Sequence, residues 1–185
     1  MSQYPLWVCD DDALGAYHFG SNHPFGPQRL PAYQKALATS GLEGRFERFA
    51  AEGADDATLE RFHTAGYISQ VHAMAGSGAP LDRGDTLAVA DIDRAAARVV
   101  GTVVRATEAI MAGECRRAFI PIAGLHHARR DRASGFCVFN DCGMVIETLR
   151  QRHGLRRIAY VDIDVHHGDG VFYSFEDDPD LLFAD

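Results

Sequence analysis

The chain has 185 residues, 46% of them hydrophobic and 24% charged, a length near the ~150-residue prior for one domain and a composition that excludes a disordered chain. Its formal net charge of −8 is opposite in sign to the basic footprint of a nucleic-acid-binding surface, so direct nucleic-acid binding is not expected. No apolar stretch approaches the ~18 residues of a membrane-spanning helix; the most apolar one, Ala118 to Leu125, contains Pro121 and Gly124.

From the N-terminus, Met1 to Gly15 carries no basic segment and turns acidic at Asp10-Asp11-Asp12, unlike a secretory or transit peptide. The four cysteines, Cys9, Cys115, Cys137 and Cys142, form no Cys-x-x-Cys pair, so reduced thiols and a cytoplasmic location are expected. Pro24, Pro27 and Pro31 are expected to prevent regular structure around them. Short helices are expected at Ala32–Ser40, Ala57–Phe62 and about Tyr67–Met74, followed by a loop at Gly76-Ser77-Gly78-Ala79-Pro80. From Ala95 to Met111, Val99, Val100, Val103, Val104, Ile110 and Met111 recur at helical spacing, with Gly113 as a C-terminal cap. Ala118–Ile122 reads as a buried strand. Asp141 is placed to cap a helix from Cys142 to Arg152 that ends at Gly154, and Arg157–Val165 reads as a second strand. After the turn signal Asp177-Asp178-Pro179-Asp180, the run Leu181-Leu182-Phe183-Ala184-Asp185 begins like a buried strand, so the chain is expected to be a truncated reading frame or a partial sequence. Strand, helix and strand at this spacing predict a parallel sheet with right-handed crossovers.

The chemistry concentrates in Tyr160-Val161-Asp162-Ile163-Asp164-Val165-His166-His167-Gly168-Asp169-Gly170. In an extended strand, Asp162, Asp164 and His166 share one face while Ile163 and Val165 pack on the other. Two carboxylates crowded on a covered sheet face repel each other and lose hydration. A divalent cation relieves both costs, and mixed carboxylate and imidazole ligation suits zinc, or else Fe(II), Mn or Co. Gly168 and Gly170 fit a tight loop at the carboxyl end of the sheet, where α/β proteins keep their ligands.

The second segment runs Gly124-Leu125-His126-His127-Ala128-Arg129-Arg130-Asp131-Arg132-Ala133-Ser134-Gly135-Phe136-Cys137-Val138-Phe139-Asn140-Asp141. Its adjacent histidines, at the carboxyl end of one strand, are expected to face the Asp/His cluster at the end of the next. Hydrolysis of an amide at a metal needs a base for water and an acid for the leaving amine; imidazoles serve as both near pH 7, with a carboxylate on the far ring nitrogen setting tautomer and basicity. Asp162 and Asp169 are available for that service. Arg129, Arg130 and Arg132 read as a solvated loop face, since no Gly-rich helix start accompanies them.

These two blocks resemble the zinc-dependent histone deacetylase superfamily, especially its bacterial acetoin-utilisation-type members. Tyr17 to Leu30, with His23-Pro24-Phe25-Gly26-Pro27-Gln28-Arg29-Leu30 at its end, looks like that family's N-terminal His-Pro-x-x-Pro-x-Arg-Leu signature. Phe62-His63-Thr64-Ala65-Gly66-Tyr67-Ile68 resembles its next helical motif. The resemblance implies a three-layer arginase/deacetylase-like α/β fold with a mainly parallel sheet, incomplete at the C-terminus, with residues 1–185 the N-terminal part of a single deacetylase domain. It makes Asp164 and His166 two of three metal ligands, His127 the general base and acid, and His126 an electrostatic partner. Asp162 then partners His126, and Asp169 partners His127. Gly135 and Phe136 line the tunnel for the acyl-lysine stem, and Asp85 matches a rim carboxylate that orients the substrate backbone. Zinc is the implied metal, with Fe(II) as the alternative and a structural monovalent cation near the Asp162 strand. The third metal ligand, an Asp, and a carbonyl-polarising Tyr are expected beyond Asp185, and Ala123 stands where the family commonly has Gly.

The implied activity is hydrolysis of an acetyl amide, in an acetyl-lysine peptide or a small acetylated amine such as an acetylpolyamine. The acidic net charge suits cationic substrates. Three alternatives stand beside it. The chain could be a non-catalytic truncated fragment or acyl-ligand-binding module. It could be an arginase-like ureohydrolase, although such enzymes favour Asp-Ala-His-x-Asp and this strand reads Asp-Val-His-His-Gly-Asp. A phosphatase of the Asp-x-Asp type leaves both histidine pairs unexplained.

Overall fold

The computed structural model describes residues 6–185; Met1–Pro5, the first part of the acidic-leading start, lie outside the described residues. The N-terminal half is built from β1 (Leu6–Val8), a 3-10 turn at Asp12–Ala16, α1 (Arg29–Thr39), β2 (Glu47–Arg48), α2 (Asp56–Leu59) and α3 (Ala65–Met74). The second half follows with α4 (Ile92–Met111), β3 (Arg117–Phe119), α5 (Asp141–His153), β4 (Ile158–Val161), α6 (Asp169–Phe175) and β5 (Leu181–Ala184). All strand pairs are parallel, giving an α/β fold. They form two sheets among the described residues, β2-β1-β3 and β4-β5, so β3 and β4 are not hydrogen-bonded neighbours. None of the described helices is long and apolar enough to cross a membrane.

The core is the meeting place of α3, α4, α5 and α6, where Ile68, Val71, Val99, Val100, Met144 and Val171 are buried. Helix α4 buries a broad apolar stripe at helical period. Its Gly101 presses against the backbone of Glu52, Gly53 and Ala54, where any Cβ would collide. Helix starts follow local chemistry: Asp55 accepts from the Thr58 amide and Thr64 from the Tyr67 amide. Helix α5 ends at Gly154, whose φ of +66° is easy only for glycine, with Arg150, Arg152 and His153 in the last turn opposing the helix dipole.

Five sequence expectations are corrected. Helix α1 starts at Arg29, so Pro31 lies in its first turn, where a missing N–H breaks no intrahelical bond. The cap of α5 is Asn140, whose side chain accepts from the Gly143 amide, and Asp141 is the first helical residue with other work to do. Strand β3 stops at Phe119, short of Ile122. Strand β5 is half-buried: Leu182 is 60% exposed, while Leu181 and Phe183 pack inward.

The fifth correction bears on the site. Strand β4 stops at Val161, after which Asp162 Oδ1 accepts from the Asp164 amide (3.0 Å) and Asp164 Oδ1 from the His166 amide (2.8 Å). Such side-chain bonds to the backbone two residues on compete with a strand ladder and turn the chain out of it. Asp162 therefore faces inward while Asp164 and His166 face solvent, and Ile163 and Val165 are 96% and 92% exposed instead of packed.

Candidate active site: paired histidines over two carboxylates

The loop between β3 and α5 carries the histidines, and it is suspended from the start of α5. Asp141 is buried and accepts from the amides of Gly124 (2.9 Å) and Leu125 (2.6 Å), directly ahead of His126. Burial pushes the Asp141 carboxyl up, and those two amides oppose the rise. Beside it, the Asn140 amide nitrogen donates to the carbonyls of His126 (3.2 Å) and Ala128 (2.7 Å) while its oxygen caps α5. His63, buried, accepts the Asn140 N–H through Nε2 at 2.9 Å. An acceptor at Nε2 requires the neutral tautomer with its proton on Nδ1, and burial holds the imidazole down at about 4.

Each histidine of the tandem pair meets its own carboxylate. His126 Nδ1–H donates to Asp162 Oδ2 at 2.6 Å, and His127 Nδ1–H donates to Asp169 Oδ1 at 2.6 Å. The far nitrogens converge, with Nε2 to Nε2 at 3.1 Å. With both Nδ1 atoms protonated toward carboxylates, that contact is a hydrogen bond only when one Nε2 also carries a proton. The ring nitrogens left free by the two carboxylates therefore sit within hydrogen-bond distance of each other. The pairs differ in access: the His126 side chain is 6% exposed and that of His127 19%.

Asp162 is further held by Tyr160, whose hydroxyl donates to the same Oδ2 at 2.5 Å. Burial raises the Asp162 carboxyl, but the bonds from His126 and Tyr160 outweigh it and hold the group below its ordinary value. Helix α6 brings Asp169 into place by pressing Gly170 onto the carbonyls of His126 and Ala128, where any side chain would collide. Gly135, at φ +53°, abuts the other side: a Cβ there would lie 2.5 Å from His127 Cδ2. Phe136 follows at φ +69° and stacks edge-on to His23, with centroids 4.5 Å apart.

Asp164 and His166 lie on the open side of the same cluster, where the His127 and His166 ring centroids are 6.0 Å apart. Asp164 Oδ1 and His166 Nδ1 are hydrogen-bonded to each other at 2.8 Å. Zinc bonds of about 2.0–2.1 Å set tetrahedral neighbours about 3.3 Å apart, so a small opening of this pair fits two of a zinc ion's ligands. Among the described residues no group of three or more metal-binding side chains assembles.

Other residues fall in different surroundings from those the sequence predicts. Asp85 is exposed on a turn at 82–86, with its carbonyl 3.3 Å from His23 Nε2. Arg129 and Arg130 are not a solvated face: Arg130 lies over Phe62 and Phe175 and pairs with Glu147 at 2.6 Å, and Arg129 lies over Tyr173. Sequence reading passes over Tyr160, although strand alternation places it on the Asp162 side. It also gives no role to Asn140, His63, Tyr17 or Thr86, whose partners are distant in sequence.

A histone deacetylase domain model matches residues 23–185. The chain is 33% identical over 173 residues to acetoin utilization protein AcuC of Bacillus subtilis, covering 89% of this chain and 44% of that protein. It is 35% identical over 165 residues to human polyamine deacetylase HDAC10, covering 85% and 24% respectively. The crystal structure of the HDA15 HD domain superposes with a TM-score of 0.86 at 27% identity, covering 98% of this chain and 53% of the other. The chain thus spans about half or less of the length of the relatives it matches. Because the match takes in both histidine blocks and most of the chain, this protein belongs to the histone deacetylase domain family.

Proposed function

We propose that the protein carries the N-terminal part of a single metal-dependent deacetylase domain, one that hydrolyses acetyl amides. The observation that carries this reading is the pair of histidines with Nδ1 on carboxylates and Nε2 converging at 3.1 Å, beside the Asp164–His166 donor pair. Asp164 and His166 would hold a zinc ion, or Fe(II) in its place, which when bound supplies Lewis acidity for a carbonyl and for water. His127, the more open of the two, takes a proton from water at Nε2, and Asp169 stabilises the resulting imidazolium. His126 over Asp162 holds the neighbouring charge and shares the proton, which passes on to the leaving amine. Gly135 and Phe136 wall the channel that takes the acyl-amine stem, and Asp85 receives backbone N–H groups of a substrate at the rim.

The substrate class is an acetyl-lysine peptide or a small acetylated amine. Both are represented by name among the relatives, in human polyamine deacetylase HDAC10 and in yeast histone deacetylase RPD3. In the complete domain, His127→Ala is expected to lower turnover of acetyl-lysine peptide or acetylpolyamine by at least about 100-fold, the scale of general acid–base catalysis, while metal content per chain stays at the wild-type level. Wild-type-like turnover in that variant overturns the assignment. Two manganese ions per chain in place of one zinc would favour a ureohydrolase.

The second reading is an acyl-ligand-binding module without turnover. Calorimetric binding of an acetyl-lysine peptide with no acetate released would select it.

A further inference from the structure

Phe136 is held in a conformation that a non-glycine residue seldom adopts, at φ +69° directly after Gly135 at φ +53°. Two side-chain hydroxyls from distant parts of the chain hold its peptide groups. The Phe136 N–H donates to Thr86 Oγ1 at 3.0 Å, and its carbonyl accepts from the Tyr17 hydroxyl at 2.6 Å. The Tyr17 oxygen also accepts the Val138 N–H at 3.1 Å. Both hydroxyls are buried.

Neither hydroxyl is free to rotate. Thr86 Oγ1 donates its proton to Asp82 Oδ2 at 2.5 Å, which turns a lone pair toward the Phe136 amide. Asp82 Oδ1 in turn accepts the amides of Gly84, Asp85 and Thr86, each at 2.9 Å. These bonds hold the Asp82 carboxyl below its ordinary value against the effect of burial. The turn that orients Thr86 is therefore the turn that presents Asp85. His23 closes the ring, with Nε2 on the Asp85 carbonyl at 3.3 Å and its edge against the Phe136 ring.

We infer that Thr86 and Tyr17 are positioning residues of the acyl channel: their hydroxyls lock the Phe136 wall, and the shared 82–86 turn couples that wall to the Asp85 rim. The channel role rests on the deacetylase reading; the hydroxyl clamp itself does not. A wall fixed at both peptide groups cannot retreat for a bulkier stem, so the clamp sets a preference for a straight acyl-amine stem over a branched one.

The test combines amide hydrogen exchange at Phe136 and Val138 with kcat/KM, measured in the complete domain, for peptides whose acetyl-lysine carries its straight stem or a stem with one branching methyl. Thr86→Val keeps the shape and removes the hydroxyl, and it is expected to speed Phe136 exchange and to lower the straight-to-branched stem ratio, each by about tenfold, the scale of one lost hydrogen bond. Thr86→Ser is expected to restore both, which a packing role for the Thr86 methyl would not do. Asp82→Ala, at a half-buried position on the turn, gives the same two shifts through the freed Thr86 hydroxyl and serves where Thr86→Val does not fold. Unchanged Phe136 exchange in the folded variants overturns the clamp. Faster exchange with an unchanged straight-to-branched stem ratio overturns the positioning role. A complete domain that hydrolyses neither peptide, while Phe136 exchange still depends on Thr86, overturns the deacetylase reading and supports the clamp alone.

Discussion

The two histidine-bearing segments are built on opposite plans. The tandem-histidine loop is enclosed: its carbonyls are held by Asn140, its preceding amides by Asp141, and Gly170 of α6 lies flat against its backbone. The Asp164–His166 segment is open, held by local turns of its own side chains and flanked by the exposed Ile163 and Val165. The difference separates two kinds of preorganisation. A proton-transfer pair needs fixed tautomers and fixed distances, which only a packed surround supplies. On the proposed reading the open pair is the metal-donor side, and metal donors draw part of their order from the ion they bind.

The largest expected effect breaks the enclosed side. Gly170→Ala drives a methyl into the carbonyls of His126 and Ala128, and a loss of about 4 kcal/mol, at the upper end for single substitutions, is expected in denaturant unfolding. A change under about 1 kcal/mol would mean that α6 does not bear on the loop. Next comes acid sensitivity. His63 is neutral in the fold, with its imidazole held at about 4 against an ordinary 6.5. The unfolded chain binds that proton first, so stability is intact above pH 6.5 and falls as the pH drops toward 4. The loss amounts to about 3 kcal/mol. His63→Gln should flatten unfolding free energy against pH across that window; an unaltered slope would assign the acid lability elsewhere.

A change beneath the loop tests its chemistry more than its fold. Asp162→Asn keeps the size of the group that His126 and Tyr160 both contact, yet it removes the charge. Deacetylation is expected to fall by about 100-fold, the usual upper range for a residue orienting a site histidine. A rate within twofold of wild type would remove Asp162 from the mechanism. The smallest effect belongs to the open side. His166→Ala should leave stability within about 0.5 kcal/mol, as for a surface residue, while metal retention on dialysis is lost. A marked drop in stability without metal would show the open segment to be packed after all.

How far the sequence reaches also differs between the two sides. The histidines and carboxylates are nameable because they stand in short blocks at element ends. The choice between Asn140 and Asp141 as helix cap is not readable locally, since both are good caps; it is decided by the Gly124 and Leu125 amides, which need a carboxylate. The end of β4 at Val161 hides for a different reason. Alternation continues through Val165, but Asp162 and Asp164 spend their oxygens on their own backbone and turn the chain away. Tyr17 and Thr86 leave no trace in the sequence, because what they hold lies 119 and 50 residues off.

That separation has a temporal side. During synthesis at about 5–20 residues per second, Tyr17 leaves the ribosome roughly 6–24 s before Val138, whose amide its hydroxyl accepts across 121 residues. For that interval the clustered rings of Tyr17, Phe19 and the partly buried Phe25 have no wall to close on. Contacts this distant slow folding by their loop-closure entropy. The tandem-histidine loop is therefore among the last parts to settle, and the nascent N-terminal third is the stretch for which a holding chaperone would matter most.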